Sequence, residues 1–247
     1  MKKRGQISIF ILLGITIIIA FGLMIFLRND TQGKTKPAEV EQKFESYYFF
    51  LDACLKDKAE ASIPEMTLNG GYFQVPNPSV EIIFFSYPYY LFKGQDYFPT
   101  KERIENELAD IFTELSKECY EDLTDVIEGK FKTNLGEVHS TSLITKNSVV
   151  LNIDYPIIIE SERQRQLKSE YRFEIPAKLD SIYEALKEFQ TLEKETPEGL
   201  CWTCISDIAE KHMLDIEMEV YNKTTVLFSF RQNATDYPIT WIFANKY

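Results

Sequence analysis

Residues 149–160 read VVLNIDYPIIIE. Val149, Leu151, Ile153, Tyr155, Ile157 and Ile159 fall on every second position, and Asn152, Asp154 and Glu160 lie among the residues between them. Period-two alternation puts one set on a covered sheet face and the other toward water, so the stretch predicts a long strand with one buried side. The pattern recurs at Tyr171, Phe173 and Ile175 against Glu170, Arg172 and Glu174, and the charged run 162–166 between the two reads as a hairpin loop. Further along, Leu214, Ile216, Met218 and Val220 alternate with Asp215, Glu217 and Glu219. Val226, Phe228 and Phe230 follow across Asn222-Lys223, and Ile239, Trp241 and Phe243 form a last strand.

Helical spacing is interleaved with these strands. Pro37 suits the first turn of a helix. Val40, Phe44, Tyr47, Tyr48, Leu51, Cys54 and Leu55 continue it, which predicts a helix to about Ala61. Thr100 is a candidate N-cap for a second helix, whose apolar stripe is Ile104, Leu108, Ile111, Phe112, Leu115 and Cys119. Residues 181–193 give a third, with Ile182, Leu186 and Phe189 on one side. Residues 79–85 read as a strand. The aromatic run from Phe84 to Phe92 is expected to pack beneath the core, because long exposed aromatic patches are uncommon on soluble surfaces. Helices interspersed with hairpin-linked strands predict an α+β exterior domain, residues 38–247, with long helices and a mostly antiparallel sheet.

Outside that domain the pattern changes. Lys2, Lys3 and Arg4 precede an uncharged run from Gly5 to Leu27. Ile7 to Leu27 as a helix spans about 32 Å, the thickness of a bilayer core. No small-residue cleavage pattern closes the run, so residues 6–28 read as a retained transmembrane helix rather than a secretory leader. Basic residues 1–5 on one side predict a cytoplasmic N-terminus, a domain outside the cell membrane and a single pass, with membrane lipid as the helix's partner. Residues 29–37, which hold Asn29, Gly33 and Pro37, read as a linker.

Lys3-Arg4-Gly5-Gln6-Ile7-Ser8 resembles the class III leader of archaeal type IV prepilins and archaellins. The resemblance implies cleavage between Gly5 and Gln6 and, if the likeness extends to assembly, a pilin-like filament subunit. The opening as a whole also resembles the N-terminus of uncharacterised archaeal single-pass membrane proteins, a likeness that implies a type of protein and no activity.

Four cysteines in an exterior domain suggest disulfides. Cys54 and Cys119 lie on the apolar faces of two long helices, and packing those faces together would pair them. Cys201 and Cys204 would pair within Cys201-Trp202-Thr203-Cys204. Free buried thiols are the alternative. The C-x-x-C spacing also resembles that of thioredoxin-like redox sites, where a helix N-terminus lowers a thiol pKa. The resemblance implies a membrane-tethered thiol–disulfide oxidoreductase using Cys201 and Cys204.

The formal net charge is −11, and it is more negative still without Lys2, Lys3 and Arg4. Such a surface repels nucleic acid. No phosphate-binding glycine loop, calcium loop or catalytic triad is recognisable, and one C-x-x-C with His212 is too few ligands for zinc. His139 and His212 read as surface or packing residues. Neither a metal nor a cofactor is expected. Asn29, Asn222 and Asn233 open N-glycosylation sequons, which suit an exterior location. The reading that results is a membrane-anchored cell-envelope protein that binds or scaffolds other envelope proteins, with no identifiable catalysis.

Overall fold

The computed structural model describes residues 37–127, 132–160, 165–196, 200–233 and 237–247, together with the helical residue Ile17. The chain divides into two compact units, residues 1–47 and 48–247; the described part of the first is mainly the opening of helix α1. The predicted transmembrane segment, the Gly5/Gln6 junction and Asn29 lie outside the described residues apart from Ile17. Among the described residues no helix is long and apolar enough to cross a membrane.

The architecture is α+β. Among the described residues it has four helices, one mixed sheet and one antiparallel sheet. Helix α1 (Pro37–Leu68) is followed by β1 (Ser79–Ile82), β2 (Phe85–Phe92) and β3 (Gln95–Asp96), then α2 (Lys101–Ile127). Strands β4 (Lys132–Leu135), β5 (His139–Ile144), β6 (Val149–Glu160) and β7 (Arg165–Ile175) come next. Helices α3 (Leu179–Glu195) and α4 (Trp202–His212) lead to β8 (Asp215–Asn222), β9 (Thr225–Gln232) and β10 (Ile239–Lys246).

Helix α1 runs past the predicted end at Ala61, through Pro64. Its buried stripe continues regularly through Leu55, Ala59, Ile63 and Met66, and this packing outweighs the local disfavour of proline. It stops at Gly70 and Gly71, both at positive φ; the Gly71 amide bonds back to the Met66 carbonyl at 2.9 Å. A Cβ on Gly70 would fall 2.5 Å from Pro88 Cγ and 2.8 Å from the Ile242 carbonyl oxygen, so glycine lets α1 end directly against β2 and β10. Thr100 caps α2 as its position suggests: its hydroxyl accepts from the Arg103 amide at 3.2 Å.

Strands β4 and β5 are one sweep along the same edge of β6, interrupted near Gly136, and β7 pairs with the other edge. The β6–β7 register shifts between Asp154 and Ile157. Pro156 lies in that irregularity, where a central strand tolerates a residue without an N–H. All six alternating residues of β6 are buried. Phe112 of α2 meets Phe173 of β7 edge to face. Cys54 of α1 is bonded to Cys119 of α2, fastening the two helices.

The second sheet has the order β1-β2-β10-β9-β8, with β3 beside β2. Its β2–β10 pair is parallel, the exception in a sheet whose other pairs are antiparallel, in line with the expectation of a mostly antiparallel arrangement. Parallel pairing requires a long connection; here everything from β3 to β9 intervenes. The inner face holds Trp241, Phe228, Phe230 and Phe243, fully buried against Phe189 of α3. Tyr90 stacks on Phe243 with ring centres 4.3 Å apart. Its hydroxyl accepts from the Trp241 indole N–H at 2.7 Å and donates to the Gly70 carbonyl at 2.8 Å.

Candidate interaction surface

The opposite face of the mixed sheet differs in character. Along β9 and β10 the inward residues are buried, while Leu227, Ser229, Arg231, Thr240 and Ile242 between them are only partly covered. Register places them as neighbours: Ser229 opposite Ile242, Arg231 opposite Thr240 and Leu227 opposite Ala244. On β2, Tyr87 pairs with Val80 and Phe85 with Ile82. Val80, Tyr89 and Ala244 form a small buried cluster against which Ile82, Tyr87, Phe92 and Leu227 pack. The result is an apolar strip across β1, β2, β10 and β9, with a depression of about 320 Å³ bordered by Tyr87, Leu227 and Ile242.

The β8 side of this face is acidic. Glu217 and Glu219 stand opposite Ser229 and Leu227, and Arg231 makes a two-point pair with Glu217 at 3.2 Å per contact. Charge on an edge strand discourages edge-to-edge pairing with another sheet. It also gives the apolar strip an anionic border, to which a cationic partner surface is complementary.

At the other side the β1–β2 hairpin closes on a two-residue turn, Ile83 and Phe84, between the paired Ile82 and Phe85. The expected single strand 79–85 is therefore two strands and a turn. No Asn-Gly or Asp-Gly dipeptide announces this turn. Instead Ile83 takes φ +58°, in the left-handed region. There an L-residue costs roughly 1–2 kcal/mol, and a β-branched one is unusual. Ile83, Phe84 and Phe85 are 86%, 93% and 64% exposed. The aromatic run thus splits: Tyr89, Tyr90 and Leu91 pack under the core as expected, and its beginning is laid open.

Cys201 and Cys204 are disulfide-bonded, and Cys201 is the N-cap of α4: its sulfur accepts from the Cys204 amide at 3.3 Å. Both are partly exposed, and Trp202 between them is 67% exposed. The element before this bridge is helix α3, not a buried strand. The other bridge, Cys54–Cys119, joins α1 to α2, with Cys119 fully buried and Cys54 partly covered. The two pairs therefore do not converge on one site.

His212 ends α4, and its Nε2 lies 3.0 Å from a Glu188 carboxylate oxygen on α3, which Lys211 also reaches at 2.8 Å. These two hydrogen bonds, Lys211's the larger influence, hold the Glu188 carboxyl below its usual range. They rivet α4 to α3. His139 stands apart on β5, near Glu137. Asn222 caps its own turn, its side-chain oxygen accepting from the Thr224 and Thr225 amides at 3.0 Å. The Asn233 amide group donates to Asp215 at 2.9 Å. Among the described residues no three His, Cys, Asp or Glu side chains are placed to hold a metal ion.

No protein-family model, curated protein or solved structure matches the chain. Sequence reasoning missed the tip at Ile83–Phe85. The available signal was the absence of Lys, Arg and His from residue 69 to residue 92, which leaves Glu81 as the one charged group in the run.

Proposed function

We propose that this is a single-pass membrane-anchored cell-envelope protein whose exterior α+β domain binds another envelope protein through the outer face of its mixed sheet. The observation that carries the binding reading is the half-exposed apolar strip of Tyr87, Leu227 and Ile242 beside acidic Glu217 and Glu219. Interfaces pair an apolar centre with a polar rim, and this face has both. Anchoring rests on the apolar run at residues 6–28 and the basic residues before it. Membrane lipid is then the first partner and a protein with a basic border the second; an acidic chain does not suit nucleic acid.

Three measurements test this. Carbonate washing should leave the full chain in the membrane fraction, and protease added to intact cells should reach its exterior domain. Leu227→Arg with Ile242→Arg should keep the fold, read by circular dichroism, while a native-gel complex from mild detergent collapses to the single chain. A single-chain band already in the unaltered protein would remove the binding reading. N-terminal sequencing that begins at Gln6 would favour the pilin-like subunit instead.

A second reading is a thiol–disulfide oxidoreductase, favoured by the part-exposed Cys201–Cys204 bridge at the start of α4. It requires insulin reduction that disappears in Cys201→Ser; absence of activity in the unaltered protein ends it.

A further inference from the structure

The tip of the β1–β2 hairpin has no partner within the fold that explains its composition. Two-residue turns favour Gly, Asn and Asp, yet here Ile83 occupies a left-handed conformation and Phe84 stands beside it, the most exposed large apolar side chain of the described residues. Phe85 extends the apolar patch into β2. Between residues 69 and 92 the only charged side chain is Glu81. The tip therefore enters an apolar phase without desolvating a cation, and it offers anionic headgroups no attraction.

We infer that Ile83, Phe84 and Phe85 dip into the interfacial region of the membrane that carries the protein, giving the exterior domain a second point of attachment. This rests on the anchor proposed for residues 6–28. Residues 29–36 reach at most about 28 Å even when extended and Pro37–Tyr47 adds about 16 Å as helix, so a bilayer that holds residues 6–28 is the apolar phase tethered to this domain. A protein pocket would have to recognise apolar volume alone, because the tip carries no side-chain hydrogen-bonding group.

The test uses the full chain in nanodiscs of zwitterionic phosphatidylcholine. Trp202→Phe removes an exposed background indole, and Phe84→Trp installs a reporter; Leu143→Trp, at an exposed position on β5, is the control. The expected result is that lipids brominated near the headgroup end of their chains quench most of the emission at position 84 and leave position 143 bright. Equal quenching of both by aqueous acrylamide, with none by bromolipid, overturns the inference. So does a blue-shifted reporter at position 84 that bromolipid fails to quench, which would seat the tip in protein. Circular dichroism confirms that each variant folds. A chain released by carbonate washing breaks the anchor reading itself, whereas a retained chain with an aqueous tip breaks only the hairpin's role.

Discussion

The two sheets are built on the same alternation and finish differently. In the antiparallel sheet the inward set of β6 is buried and mainly aliphatic, and the residues between mix Asn152, Asp154 and Glu160 with Val150 and Ile158. In the mixed sheet the inward set is aromatic and equally buried, but the other set includes Tyr87, Leu227 and Ile242, and the hairpin beside it carries Ile83 and Phe84. Folding of a one-sided sheet requires apolar residues on one face only. On the mixed sheet the apolar residues of the second face lie between the acids of β8 and the exposed hairpin tip, and that is why the proposed function is placed there.

Substitutions on opposite faces of β10 sharpen this contrast most. Phe243→Ala should cost about 3–5 kcal/mol, since it empties a fully buried ring site. Its neighbour Ile242→Ala should cost about 1 kcal/mol or less, because that side chain is only partly covered. Urea unfolding of both variants checks the difference; equal losses would mean that the outer face is a second core.

The bridges come next. Cys54–Cys119 spans a sequence separation of 65, and its removal by double alanine substitution should cost about 4 kcal/mol in the chain-entropy model. Cys201–Cys204 spans 3, and the same change should cost about 2 kcal/mol. Thermal unfolding of the two double variants gives the order. A reversed order would show that the short bridge secures more than its own turn.

A smaller effect tests the join between β10 and α3. Glu193 is buried, and burial raises its carboxyl pKa, although hydrogen bonds from the Tyr247 hydroxyl and from Asn245 pull the other way. A group that holds its proton more tightly when folded contributes most below the ordinary carboxylate range. That contribution is lost as pH rises through the raised value. Glu193→Gln should therefore raise the melting temperature near neutral pH and leave it nearly unchanged in acid. The smallest change is expected at the hairpin: Ile83→Asn, a residue that tolerates positive φ, should stabilise by about 1 kcal/mol. Stabilisation there together with weaker bromolipid quenching of the Phe84→Trp reporter would show stability exchanged for function.

Much of this fold was legible before any coordinates. The alternation at 149–159, at 171–175 and in the last three strands, the stripe of α2 and the Thr100 cap are local signals, and each corresponds to an observed element. What escaped depended on distant partners. The parallel seating of β10 on β2 leaves no trace in either segment's periodicity, because side-chain alternation is the same for parallel and antiparallel neighbours. The length of α1 was hidden by Pro64, whose disfavour is overridden by Ile63 and Met66 in the core. Within the candidate surface the paired acids of β8 were readable, but the division of the aromatic run was not. Phe84 and Tyr90 look equally apolar in sequence, and only the turn at Ile83 separates them.

Strand β10 lies between β2 and β9, yet it is the last of the ten to be synthesised. Until it emerges from the ribosome, the early hairpin and the β8–β9 hairpin have nothing to join them, and Phe228, Phe230 and Tyr90 lack their central ring neighbour, Phe243. Pairings so distant along the chain form slowly, and they leave open strand edges in the meantime. The mixed sheet must therefore wait for the final strand, whereas the antiparallel sheet and the bridged helices α1 and α2 can assemble without it, so the two sheets mature at different times along the growing chain.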